Sequence, residues 1–275
     1  MSDDAKALFA ADQWSTPLSQ DVDVKATGIG PNSSFRFRLR TLLLTAAIAL
    51  ICFGAFAVLH SARTKALANH ISNNFRWIEI GLHNYSSAHE RLAMPNCLDA
   101  DGAVLSSWRF AIIPYMESLK IKRDHRAAWD DPANSRVRAL AHQAYCWTDS
   151  PLTSVFAITG GDTAFHESEK FVISDLPPNL MLLAEVHDSN THWMEPGDYE
   201  VSELLAAEGQ LGDIVQGLLP DRVHVMFADG EVWALSPETP MASLHPLLTI
   251  TSAKNADRDE ILAPYCVDRR RQNPQ

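Results

Sequence analysis

Between Asp162 and Asp198 the chain gathers Asp162, His166, Glu167, Glu169, Glu185, His187, Asp188, His192, Glu195 and Asp198. These side chains ligate transition metals and carry protons in general acid and base catalysis. A metal centre needs roughly two to four of them converging, and His187 with His192, or His166 with Glu185, offers such a pair. Their spacing follows no HExxH or related ligand pattern, and eleven histidines in an acidic chain produce neighbours of this kind by chance. Calcium would accept the loop carboxylates, but no EF-hand-like spacing supports it. No metal and no cofactor is therefore expected. Glu185, at the end of an apolar strand, is the candidate functional carboxylate. Its ordinary role would be to accept hydrogen bonds from a loop or from the Trp193 indole.

Nucleophiles give no firmer motif. GxSxG and SxxK with partners are absent, and Ser86, Ser87, Ser106 and Ser107 read as loop or helix-end residues, Ser107 as the cap of a helix from Trp108. The Gly160-Gly161 pair is followed by Asp162-Thr163, not by a phosphate cradle and Lys. No catalytic residue is assigned, and the chain is not expected to be an enzyme. Acids outnumber bases 34 to 23 for a formal charge of -11, which argues against a nucleic-acid binder. Four cysteines, none in a CxxC pair, exclude zinc ribbons and thioredoxin-like motifs.

The positioning elements begin with Thr41 to Leu59, nineteen residues without a charge and with only Thr41 and Thr45 polar, and the apolar character runs on to about Ala62. A helix of about 20 such residues spans a bilayer. Five acids and five bases precede it, so the entire net charge belongs to later residues. Arg36, Arg38 and Arg40 flank the span on one side against Arg63 and Lys65 on the other, placing the N-terminus in the cytoplasm. A cleaved signal ending at Ala66-Leu67-Ala68 competes with this, but the apolar run is long for a signal core and Arg63 and Lys65 intervene. Beyond the span, Leu67, Ile71, Phe75, Ile78, Leu82 and Tyr85 line one helical face. No proline lies between Pro31 and Pro95, so one helix should run from about Thr41 to Arg91, with Gly54 and Gly81 its weak points.

After Pro95 the elements shorten. Helices are expected at 107–119, broken at Pro114, and at 134–142, with Asn134 a possible N-cap. Strands are expected at 154–159, 180–186, 222–228 and 231–235. The last two flank the hairpin turn Asp229-Gly230, read as type I′ with positive φ at both residues. Val223, Val225 and Phe227 should then face the long helix, with His224 and Met226 on the other side. The tryptophans Trp108, Trp129, Trp147, Trp193 and Trp233 are expected in the core. Cys97 and Cys146 lie beyond the span and flank the two short helices, a possible disulfide that would close a loop of about 50 residues.

A half-lipid, half-amphipathic N-terminal helix followed by a small mixed domain resembles a type IV pilin or pseudopilin. More closely, the soluble part resembles the pilin-like planctomycete family called domain of unknown function 1559. The resemblance begins at Ile78 to Pro95, with Leu-His-Asn-Tyr at Leu82 to Tyr85. It continues through Leu105 to Glu117, Ala128 to Ala141, Tyr145 to Asp149, Thr159 to Phe165, Leu182 to Asp198 and His224 to Leu235, covering roughly residues 65 to 250. Two features depart from it. No prepilin junction is present, since the nearest glycine is Gly30 and no acid occurs between Asp23 and Glu79, so the anchor is expected to be retained. Where the family has Cys-Pro-Ser, this chain has Cys146-Trp147-Thr148.

The fold expected is α+β: a long N-terminal helix packed on a small antiparallel sheet, pilin-like, with short helices and long loops. The parts are a disordered cytoplasmic tail at 1–40, a span at 41–62, a pilin-like extracytoplasmic domain at 63–252 whose helix 63–91 continues the span, and a disordered tail at 253–275. The resemblance implies an inner-membrane, single-pass protein with a structural or interaction role in the cell envelope. Its partners would be the membrane and other envelope or pilin-like proteins. A pseudopilin-like secretion component is one alternative, and a metal-dependent envelope enzyme using the 162–198 cluster is another.

Overall fold

The computed structural model describes residues 33–116, 124, 126–140, 142–148 and 150–270. The chain divides into two compact units, Met1–Ala57 and Val58–Gln275. The helix α1 (Ser33–His89) begins in the first unit and ends in the second. In the first unit it already includes residues 33–40, part of the stretch expected to be disordered, while residues 1–32 of that tail lie outside the described residues. From Thr41 to Arg63 every side chain is exposed, including Leu50, Ile51, Phe53 and Phe56. This one helix is long and apolar enough to cross a membrane. Unlike the core helix of a soluble protein, its apolar window has no buried residue.

In the second unit the periodic stripe is buried as its spacing requires: Ile71, Phe75, Ile78 and Leu82 are fully enclosed. Gly81 sits where a Cβ would lie 2.7 Å from Met116 Cγ, so its cost in helix propensity is offset by close approach of the following segment. The helix stops at Glu90, which takes φ +54 in the left-handed region usual for a helix C-terminus. A small hairpin follows, β1 (Asn96–Leu98) and β2 (Val104–Ser107), then α2 (Trp108–Ile112), a 3-10 turn through Pro114, and α3 (Ser135–Arg138). Residues 117–119 of the first expected helix lie outside the described residues.

The sheet has six strands in the order β5-β3-β4-β6-β7-β8. They are β3 (Val155–Thr159), β4 (Met181–Glu185), β5 (Tyr199–Glu200), β6 (Val223–Phe227), β7 (Val232–Leu235) and β8 (Cys266–Arg270). The pairing of β5 with β3 is parallel and the others are antiparallel, so the sheet is mixed where an antiparallel one was expected. After α7 (Ile250–Ala253), the segment expected as a disordered tail from residue 253 forms α8 (Arg258–Leu262) and the edge strand β8. Asp257 caps α8 by accepting from Glu260 N–H. Residues 271–275 lie outside the described residues.

Both faces of the sheet are covered. One carries the α1 stripe with Leu183, Met226, Val232, Trp108, Tyr145 and Trp193. The other buries Val223, Val225, Phe227, Trp233 and Leu235 beneath α4 (Val201–Ala206), α5 (Leu211–Ile214), α6 (Met241–Leu244) and α8. The expected facing of β6 is thus reversed: Met226 faces the α1 layer and the three alternate residues face away from it. The alternation itself holds, but the sequence offers no second apolar layer to claim the Val/Val/Phe side.

Candidate functional site

Glu185 and His224 form a fully buried pair across β4 and β6, where backbone register sets them side by side. Glu185 Oε2 accepts from His224 Nδ1 at 2.8 Å and from His224 N–H at 2.9 Å. Oε1 accepts from Leu218 N–H at 2.6 Å. The loop carrying that amide approaches closely because Gly217 has no side chain; a Cβ there would meet the Arg222 carbonyl and stand 3.2 Å from Glu185 Oε2. Burial, with Glu185 close by, pushes the Tyr199 phenol upward. A carboxylate holding an imidazole by Nδ1 is the orienting half of a triad. Among the described residues no hydroxyl or thiol is seen hydrogen-bonded to His224 Nε2. Glu185 accepts from a loop, as one reading of the sequence has it, but the Trp193 indole donates instead to Leu140 O at 2.7 Å.

The remaining members of the 162–198 cluster disperse. His166 Nδ1 accepts from the Ser168 and Glu169 amides, and Asp162 Oδ2 from Thr251 N–H. His187 pairs with its neighbour Asp188 at 3.4 Å. His192 stacks on Trp129 and contacts Arg138 O through Nε2 at 2.9 Å, and burial pushes it below its ordinary pKa. His166 is not joined to Glu185, nor His187 to His192. Among the described residues no three of His, Cys, Asp and Glu are grouped to hold a metal ion, so the metal-dependent enzyme has no donor set to rest on.

Sequence reasoning missed the most heavily bonded centre. Arg109 on α2 is completely buried and paired with Asp198 through Nη1 at 2.7 Å. Its guanidinium also donates to the carbonyls of Trp193, Val155, Glu195 and Gly197. Asp198 Oδ1 further accepts from Trp108 Nε1 at 3.0 Å and Ala157 N–H at 2.8 Å. Burial pushes the Asp198 carboxyl up, against the opposing pull of Arg109. The centre ties α2, β3 and the 193–198 loop together. Ser107 takes part in that docking and does not cap α2: its hydroxyl donates to Trp193 O at 3.2 Å. Asn134 likewise makes no cap. Its amide donates to the carbonyls of Asp124, Ala127 and Ala128, and Asp131 caps the turn instead.

At the Asp229-Gly230 turn only Gly230 has positive φ, +80. Gly230 N–H donates to Phe227 O and Phe227 N–H to Glu231 O, a three-residue loop with the glycine in the left-handed position, which corrects the type I′ assignment. Asp229 is bound by Arg258 at 3.0 and 2.8 Å, and Arg258 reaches Glu231 at 3.1 Å while lying over Phe227 and Trp233. Cys97 and Cys146, the possible disulfide pair, stand as separate thiols in this structure. Cys97 directs its thiol to Ser107 O at 3.7 Å, whereas Cys146 is buried, with its pKa pushed up to about 12, a placement suited to an inert thiol.

Comparison with known proteins adds one likeness. A family model described as a protein of unknown function (DUF1559) matches residues 60–175, less than half of the chain. The match runs from the exposed part of α1 through the Arg109 segment and β3 to the loop before β4. No curated protein and no solved structure matches.

Proposed function

We propose that the chain is a single-pass membrane protein whose domain from Arg63 onward is displayed outside the cytoplasm as a pilin-like structural or interaction module of the cell envelope. The observation that carries this reading is the uncharged stretch of α1 from Thr41 to Leu59, whose apolar side chains are all exposed. In water such a surface is unfavourable, and in hydrocarbon it is matched. Three arginines before the span and two bases after it favour a cytoplasmic N-terminus. The role is contact, not turnover: Glu185 and His224 are occupied by the fold, and Arg109 and Asp198 serve as a buried brace. The DUF1559 likeness over residues 60–175 agrees with the family resemblance of the sequence blocks, from which the pilin-like part of the proposal is taken. Alkaline carbonate extraction tests the anchor. The full chain should stay in the membrane pellet, and a variant lacking 41–62 should move to the supernatant; release of the full chain would contradict the proposal.

A further inference from the structure

We propose that a polar cleft of about 480 Å³ between β1, the end of β3 and the 160–168 loop binds a neutral saccharide. Its wall includes Asn96, Gly161, His166, Glu167, Ser168 and Glu200. Glu200 is placed by β5: Thr159 pairs with it in register, and Thr159 Oγ1 lies 3.4 Å from Glu200 Oε2. Gly160, at φ +107, makes room for that carboxylate, since a Cβ there would collide with it. The loop is closed on itself by Gly160 N–H to Phe165 O at 3.3 Å and Thr163 Oγ1 to Gly160 O at 2.9 Å, so the wall is formed before any ligand arrives.

The groups facing this space select the ligand class. His166 Nδ1 accepts from two backbone amides, at 3.1 and 3.0 Å, which places the neutral ring's hydrogen on Nε2 as a donor. Ser168 supplies a hydroxyl oxygen whose hydrogen turns to His166 Nδ1 at 3.3 Å, Asn96 supplies an amide, and Glu167 and Glu200 supply acceptors. Asn96 Nδ2 donates weakly to Glu167 Oε1 at 3.4 Å, leaving the second carboxylate oxygen for a ligand. No lysine or arginine lines the cleft among the described residues, so two carboxylates would repel an anion. An ammonium offers donors only and would leave the imidazole and amide donors unmatched. A sugar hydroxyl both donates and accepts, and the volume suits a mono- or disaccharide.

Gly161 offers a place to block the cleft. It lacks positive φ, and a Cβ there would meet nothing within 4 Å. Gly161 is exposed and lines the cleft, so a large side chain placed there has open space to reach across it.

Saturation-transfer NMR on the full chain in lipid nanodiscs tests the proposal, with glucose, galactose, N-acetylglucosamine and maltose as probes and putrescine and citrate as charged controls. At least one saccharide should bind, and Gly161→Phe and Glu200→Gln should each weaken it at least tenfold. Gly161→Phe should melt with the parent; if it does not, Glu200→Gln and Ser168→Ala decide. Absence of saccharide binding at tens of millimolar, equal binding by the variants, or putrescine binding in place of sugars would overturn it.

Discussion

The two layers covering the sheet are built on different principles. On one face, a single long helix lays a stripe of large residues against the strands, and the charge buried there, Arg109 with Asp198, is surrounded by backbone carbonyls and almost dry. On the other, four helices of four to six residues share the work, and their buried charge, Arg258, faces two carboxylates that keep some contact with water. The first layer is held by a continuous element and a fixed polar hub. The second depends on short pieces pinned by the returning C-terminal segment. A buried arginine should therefore matter most where its partner cannot turn to solvent.

Removing the first hub is the severest way to break this comparison. Arg109→Gln leaves Asp198 uncompensated at about 5% exposure, and should destabilise the domain by about 3 to 5 kcal/mol in denaturant titration of the full chain. A loss below about 1 kcal/mol would mean the hub is decorative.

Arg258→Leu should cost less, about 2 to 3 kcal/mol, because Asp229 and Glu231 remain 28% and 16% exposed and can rehydrate. Trp233, which lies beneath both Arg258 and Arg269, should report the loss as a fluorescence change. If Arg258→Leu proves costlier than Arg109→Gln, the ranking of the layers is reversed.

Acid sharpens the comparison from the first side. His142 contacts Tyr145 and Trp193 in the α1 layer, and burial pushes it from 6.5 down to about 4. Between those values the unfolded chain binds a proton that the fold excludes. Stability from this group is therefore full above about pH 6.5 and falls as pH drops toward 4, by about 3 kcal/mol. Melting followed against pH should show that decline in the parent and a flatter curve in His142→Phe; identical curves would remove His142 as its cause. The smallest effect is expected at the hairpin, where Asp229→Asn keeps the loop but weakens the Arg258 contact, lowering stability by about 1 kcal/mol in the same melts. A cost indistinguishable from zero would show that turn preference alone governs this residue.

How much was legible follows the same division. A 3.6-residue period sustained from Leu67 to Tyr85 is long enough to reveal both the helix and its buried face. The short apolar and alternating runs at β3, β4, β6 and β7 reveal four strands to within a residue or so. Helices such as Leu211–Ile214 are shorter than one and a half turns and carry no readable period, so the second layer is invisible in the sequence and the facing of β6 is inverted with it. The polar 253–270 stretch reads as a tail because its order comes from pairing with β7 and from Arg258 reaching Asp229, 29 residues away. Arg109 is inconspicuous inside SWRFAIIPYMESL, since nothing local announces that a carboxylate 89 residues later will meet it. Glu185 stands out for its place at the end of an apolar strand, but its partner His224 is supplied by sheet register.

Site-directed labelling addresses the display of the domain most directly. In a Cys97→Ser, Cys266→Ser background, Glu238→Cys places an accessible thiol on the domain and Ser2→Cys places one before the span; Glu238 is exposed. Intact spheroplasts treated with a membrane-impermeant maleimide should label the thiol at position 238 at once and the thiol at position 2 only after lysis. Labelling at position 2 with protection at position 238 would place the domain in the cytoplasm and contradict the account.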